Sequence, residues 1–320
     1  MRRVIVAGAI LLAGAHAVSA SDLGLRVESA GQVTVKVGPG DAVPYDVVGE
    51  LSDNLNEGLA MFSLDLAFSG GPLLPASEPA SSPMVNFDKP AGLTNPAGFG
   101  GTPVAGVLRQ VGGAQNTINN SIAPYPLGTV ATGVAQNGGP DVLVSGTLTT
   151  PYKVGTYALT PSGVLANVIR LGETGTPFWR VDPAGLGAVT PLSVTVEALT
   201  PAAPSVIVGQ TVALELDAGQ ANAGRHYRVL GCVTPGPPNR RLIVPLRNDW
   251  YYQFTSQNPN SAILQNSDGF LNGSGQATAL FTPDAPFAGL TAFHAFYVNG
   301  PSIFVSNVAT VQVTSSIVRK

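Results

Sequence analysis

The chain has one cysteine, Cys232, among 320 residues. An intramolecular disulfide is thereby excluded, and the folded protein must hold by packing alone. Its apolar setting, RVLGCV, points to a buried strand thiol. Histidine is nearly as scarce: His16 falls in the N-terminal apolar stretch, leaving His226 and His294. A catalytic zinc site needs about three protein ligands, so no metal and no cofactor is expected. Charged residues are 11% of the chain, against about 25% in ordinary globular proteins. Beyond the N-terminus no apolar run approaches the roughly 20 residues that cross a bilayer. A net charge of −3 argues against a nucleic-acid partner.

Glycine (38) and proline (27) are abundant, yet hydrophobic residues reach 44%. Frequent turn residues beside plentiful Val, Leu and Thr predict many short strands with an uncharged polar surface. Arg2 and Arg3 precede an apolar run over residues 4–12, and small residues end at Val18-Ser19-Ala20. That is the pattern of a secretory signal peptide over residues 1–20, with cleavage after Ala20. The protein is expected outside the cytoplasm, secreted or periplasmic, with no membrane insertion and no anchoring signal in the terminal SSIVRK.

Two domains are expected, at 21–198 and 199–320, each all-β. Charge divides unevenly between them: 14 Asp/Glu against 7 Lys/Arg in the first (−7), and 5 against 7 in the second (+2). In the first, alternation predicts strands at residues 32–37, 42–49 and 59–68. Gly38-Pro39-Gly40-Asp41 turns the first into the second. Residues 52–58 cluster oxygen ligands before Gly58 but lack the spacing of a calcium-binding EF-hand loop, so a polar turn is expected there. Residues 70–103 form a long Pro/Gly/Ser-rich loop. The spacing of Val104, Val107, Leu108 and Val111 predicts a short helix ended by Gly112-Gly113. Strands resume at 128–135, 141–149, 155–159, 164–171 and 192–198.

In the second domain strands are expected at residues 211–216, 225–232, 243–246, 249–255, 291–298 and 303–313. A hairpin is expected from 268–271 to 276–282 around Asn272-Gly273-Ser274-Gly275. Chemistry is hard to find. No Gly-x-Ser-x-Gly elbow occurs, no spacing pairs Asp65 with Glu50 or Asp53 as a glycosidase would need, and no catalytic residue is assigned. The candidate binding residues are aromatic and cationic: Trp179, Trp250 and Tyr251, with Arg240 and Arg241. Indole and phenol rings stack on sugars or anchor protein partners, and arginines suit an anionic ligand. As a strand, residues 249–255 would turn Trp250, Tyr252 and Phe254 to the core and Tyr251 outward.

Two resemblances sharpen this picture. Val35-Lys36-Val37-Gly38-Pro39-Gly40-Asp41, followed by Gly58-Leu59-Ala60-Met61-Phe62-Ser63-Leu64-Asp65-Leu66-Ala67-Phe68, resembles the opening of cohesin domains, with carbohydrate-binding modules as structural cousins. This implies a jelly-roll β-sandwich whose surface binds another protein module. The stretches LDAG (from Leu216), AGRHYRVLG (from Ala223), IVPLRNDWYYQF (from Ile243) and GSGQATALFTP (from Gly273) resemble an uncharacterised C-terminal module of secreted bacterial proteins. That likeness implies an immunoglobulin-like sandwich and no particular activity. The expectation is two immunoglobulin-like or jelly-roll β-sandwiches in tandem, exported, not an enzyme. Its partner would be an extracellular protein or a polysaccharide.

Overall fold

The computed structural model describes residues 21–52, 58–77, 79, 87–88, 99–115, 139–171 and 179–315. The expected leader, the interior of the 52–58 turn, much of the 70–103 loop and the strand expected at 128–135 lie outside them. The described strands form two pairs of sheets, and the protein is all-β with two stacked sandwiches.

In the first pair, Gly185–Thr190, Asp22–Glu28, Ala42–Leu51 and Asp141–Thr149 make a four-stranded sheet. The second sheet runs Thr34–Val37, Leu192–Val196, Gly155–Leu171, Leu59–Phe68, Val107–Gln115 and Phe87–Asp88, with two short strands at its flanks. Alternation places Leu23, Leu25 and Val27 on the inner face of one sheet, and Phe62, Leu64, Leu66 and Phe68 on the inner face of the other. These side chains meet in one core.

The second pair repeats the plan. Leu199–Pro201, Val212–Asp217, Gln276–Phe281 and Leu264–Gln265 form one sheet. Ser205–Ile207, Ala309–Thr314, Thr291–Val298, His226–Cys232 and Asp268–Phe270 form the other, with Phe304–Val305 paired to the end of Thr291–Val298. Val212, Leu214 and Leu216 face Val229, Phe296 and Val311 across the core. A further apolar cluster lies on the outer face of the larger sheet, where Val244 and Leu246 cover Leu230, Cys232 and Ala295. His226–Cys232 is therefore buried on both faces along its second half. Cys232 is a free, buried thiol, and burial pushes its pKa up.

Four local expectations are corrected. Among the described residues, 102–115 hold no helix: Thr102–Val104 and Val107–Gln115 form a hairpin. Its two turn residues, Ala105 (φ 49°) and Gly106 (φ 83°), are both left-handed, as the tight mirror-image turn requires. Residues 243–246 are not a strand, because Leu246 N–H donates to the Val244 carbonyl and closes a tight local turn. Trp250–Gln257 is an α-helix instead of a strand. The turn at residues 272–275 is made, with Gly275 N–H donating to the Asn272 carbonyl. Its flanking strands do not pair with each other, however: one joins His226–Cys232 and the other Val212–Asp217, so the turn passes the chain between sheets.

Between the sandwiches the chain is tightly held. Only Glu197 and Ala198 separate Leu192–Val196 from Leu199–Pro201. Asn307 Oδ1 accepts from the N–H groups of Ala198 (2.7 Å) and Leu199 (3.0 Å), and Asn307 Nδ2 donates to the Leu199 carbonyl (2.8 Å). Tyr152 fills a slot between two glycines from different sandwiches. A Cβ on Gly40 would lie 2.6 Å, and one on Gly219 2.8 Å, from its ring. Both glycines have positive φ, at 83° and 74°.

Candidate interaction groove at the junction

The candidate residues around Trp250 are organised by Asp249. Its Oδ1 accepts from the N–H groups of Tyr251 (3.0 Å) and Tyr252 (2.9 Å), which starts the helix. Its Oδ2 accepts from Val233 (2.7 Å) and Thr234 (2.8 Å), which ties the helix to the end of His226–Cys232. Burial alone would raise this carboxyl, but the hydrogen bonds outweigh it and hold the pKa below its ordinary value.

The helix reverses the orientation expected of a strand. Tyr251 is fully buried, and its ring packs edge-on against Phe287 at 4.7 Å and His294 at 5.7 Å. Trp250 is 48% exposed and rests on Phe287, with centroids 5.1 Å apart. The indole is thus the ring presented to solvent, while the Tyr251 phenol sits in the core. His294, in the strand Thr291–Val298, both packs and hydrogen-bonds. It is fully buried, and its Nε2 is 3.0 Å from Tyr251 Oη, whereas Nδ1 has no partner among the described residues. Burial depresses the imidazole pKa to about 3 and pushes the Tyr251 phenol well above its ordinary value.

Trp179 begins the strand Trp179–Pro183, which pairs with Gly155–Leu171 in the first sandwich, and so is not part of the Trp250 cluster. Arg240 and Arg241 lie at the tip of a surface loop whose base closes where Asn239 N–H donates to the Leu246 carbonyl (3.0 Å). Within it the Asn239 side chain accepts from Arg241 N–H (3.1 Å). Two other arginines of this sandwich, Arg225 and Arg228, are committed to structure. Arg225 donates to Asn222 Oδ1, while Arg228 reaches the carbonyls of Thr255 and Ser256 and lies 3.7 Å from Asp268.

Arg240 borders an open groove of about 630 Å³ at the junction. Residues 152–154 of the first sandwich form one wall. Residues 238–240 and 242–245 form a second, and residues 303–306 supply the floor. Tyr152 (47%), Ile243 (52%) and Ile303 (54%) are large apolar side chains left half-exposed, and all three converge here. The loop folds this way because Val244 and Leu246 are drawn into the cluster beneath it, which turns Ile243 outward. Among the described residues the lining carries two cations, Lys153 and Arg240, and no carboxylate. Among the described residues neither cation has an acidic partner. The sequence singled out Arg240 but not the rest, which come from its own loop and two distant segments.

The carboxylates weighed for catalysis are placed elsewhere. Asp65 pairs with Arg109 and accepts from Gln110 N–H, and Asp53 lies outside the described residues. Among the described residues no group of three or more His, Cys, Asp or Glu side chains is placed to hold a metal ion. Nor is any of their helices long and apolar enough to cross a membrane.

No family model and no curated protein matches the chain. Among solved structures it is similar to the sixth cohesin of Acetivibrio cellulolyticus scaffoldin B, crystallised with a dockerin. The identity is 14% and the TM-score 0.33, over 56% of this chain and 100% of that one. A type I cohesin from a cohesin–dockerin complex of Clostridium thermocellum gives 12% and 0.34, over 55% and 94%. A C-terminal fragment of the major pilin of Streptococcus agalactiae gives 10% and 0.32, over 90% and 91%.

Proposed function

We propose that this is an exported, non-enzymatic protein of two β-sandwich domains, 21–198 and 199–320, that works by binding another extracellular or cell-surface protein. The observation that carries this reading is the junction groove, where three large apolar side chains stay half-exposed beside two cations that have no acidic partner among the described residues. Exposed apolar surface concentrated in one concave place marks an interaction site, whereas scattered single residues do not. The signal-peptide pattern of residues 1–20 supports an encounter outside the cytoplasm. Mature protein, immobilised and exposed to a surface extract of its own source cells, should retain one protein in stoichiometric amount. Retention of none would count against the reading.

A second reading rests on Trp250. Its half-exposed indole, braced by Phe287 and Tyr251 at 5.1 and 5.6 Å, is a platform on which a sugar ring could stack. On this reading Trp250→Ala lowers retention on insoluble polysaccharide at least tenfold while the melting temperature falls by only a few degrees. Equal retention of both proteins, measured by affinity electrophoresis, would remove the carbohydrate reading.

A further inference from the structure

We infer that the junction groove receives an extended segment of a partner protein in which acidic and apolar residues alternate, added as a strand along Phe304–Val305. The inference rests on the interaction reading and specifies its partner.

Three features of the groove select that chemistry. The first is its floor. Among the described residues Phe304–Val305 pairs only with Tyr297 and Val298, so one edge of this short strand has no strand beside it. A free strand edge offers backbone donors and acceptors in a row, which an extended peptide satisfies and a polysaccharide does not match in register. The second is the apolar surface. Ile303 leads into the floor strand, while Tyr152 and Ile243 stand on the two walls, so apolar side chains of an added strand have contacts on both sides. Alternate residues of a strand point to opposite faces, so one set of side chains can be apolar and the other charged. The third is charge. Lys153 and Arg240 come from different sandwiches and border the same opening, exposed Arg241 extends the positive side, and the lining holds no acid to answer them. An acidic partner gains steering and register from this arrangement. The chain's own C-terminal residues 316–320, with Arg319 and Lys320, repeat the groove's charge and are poor occupants.

The groove draws its walls from both sandwiches, so its shape depends on the Tyr152 slot and the Asn307 clamp. Binding should therefore couple to the junction: an occupant touching residues 152–154 and 242–245 together can do so only when the sandwiches hold their observed arrangement.

The test uses the mature chain and a fluorescein-labelled octapeptide of alternating Asp and Leu, followed by fluorescence anisotropy. Controls are octapeptides alternating Lys with Leu and Asp with Ser, and polygalacturonate as an acidic polysaccharide. Saturable binding of the Asp-Leu peptide alone is expected, weakening as salt rises. It should weaken at least tenfold in Lys153→Glu/Arg240→Glu, and also in Ile243→Ser, which keeps the charges. All three side chains are largely at the surface, and unchanged circular dichroism would show that these variants fold. Equal binding of the Asp-Ser peptide or of polygalacturonate would overturn the strand-addition claim in favour of a bare anion site. Concentration-dependent self-association abolished by Lys153→Glu/Arg240→Glu would overturn it in favour of a second copy of this chain. If no peptide binds, but a stoichiometric partner is captured equally by wild type and the double variant, the groove is wrong and the interaction reading stands. If neither occurs, both fall.

Discussion

Acidification should unfold the second sandwich well before the carboxylates around it are fully protonated, and His294 should be the cause. The imidazole is neutral in the folded protein, with its pKa depressed by burial from 6.5 to about 3. Above pH 6.5 neither state takes up its proton, and stability is unaffected. Below that the unfolded chain binds a proton that the folded chain refuses, so stability falls as pH falls. The slope is about 1.4 kcal/mol per pH unit, and the total approaches roughly 5 kcal/mol by pH 3. Many domains have little more than this to lose. Asp249, whose pKa is lowered from 3.8, acts in the same direction but lower: its stabilisation is present above that value and is lost as pH falls through its folded pKa.

The clean comparison is His294→Phe combined with Tyr251→Phe, which removes the hydrogen-bonded pair without leaving the phenol unpartnered in the aromatic box. Urea unfolding followed by Trp250 fluorescence in a Trp179→Phe background should show wild type losing about 3 kcal/mol between pH 6.5 and pH 4. The double variant should lose little over that range. A parallel loss in both would show that the acid sensitivity comes from elsewhere.

The second large effect belongs to the joint. Asn307→Ala removes one acceptor and one donor that together satisfy three backbone groups of Ala198 and Leu199, both buried. Leaving such groups without partners costs about 1–3 kcal/mol each when water cannot reach them. Partial relaxation brings the expected total to roughly 2–4 kcal/mol, and Asn307→Asp should fall in the same range, because it keeps the acceptor but sets a second carboxylate oxygen against the Leu199 carbonyl. Gly219→Ala should loosen the same joint by a different route, because its Cβ would lie 2.3 Å from the Pro39 carbonyl oxygen at a φ of 74°. Scanning calorimetry checks these losses. In both Asn307 variants the two sandwiches should melt separately and a glutamate-specific endoprotease should cut after Glu197. Equal stability of all three proteins would show that Asn307 is incidental to the joint.

Where burial on one face dominates, the sequence announced its strands to the residue. Leu59–Phe68 has the expected bounds, because its alternating apolar side chains have a single core to face, and Thr291–Val298 has them too, being apolar on both faces. Residues 155–171 were expected as two strands and form one, Gly155–Leu171, which passes Gly163 at φ 57° without ending. The helix at Trp250–Gln257 was hidden by composition, since a Trp-Tyr-Tyr-x-Phe run favours strands. The counter-signal was present in Asp249, a strong helix N-cap, with Tyr251 and Thr255 spaced four apart on the buried side. The hairpin at residues 102–115 was missed because Ala105-Gly106 is a weaker turn signal than Asn-Gly, so the surrounding valines read as helical spacing.

The groove had no local signal at all. Residues 225–247 hold five arginines and no acid, and nothing local in the sequence separates Arg240 from Arg225 and Arg228, which are spent on structure. Lys153, Tyr152 and Ile303 join it only through tertiary packing of segments some 60 to 90 positions away, at a joint whose geometry depends on two glycines and one asparagine.

The central claim, that the junction groove is where this protein meets its partner, is best tested by hydrogen–deuterium exchange on the mature chain with and without the captured protein. Slowed exchange at residues 152–154, 239–244 and 303–306 together is the expected result, with little change across Gly185–Thr190 or the helix Trp250–Gln257. Protection confined to another face, with the three groove segments exchanging as freely as before, would contradict it.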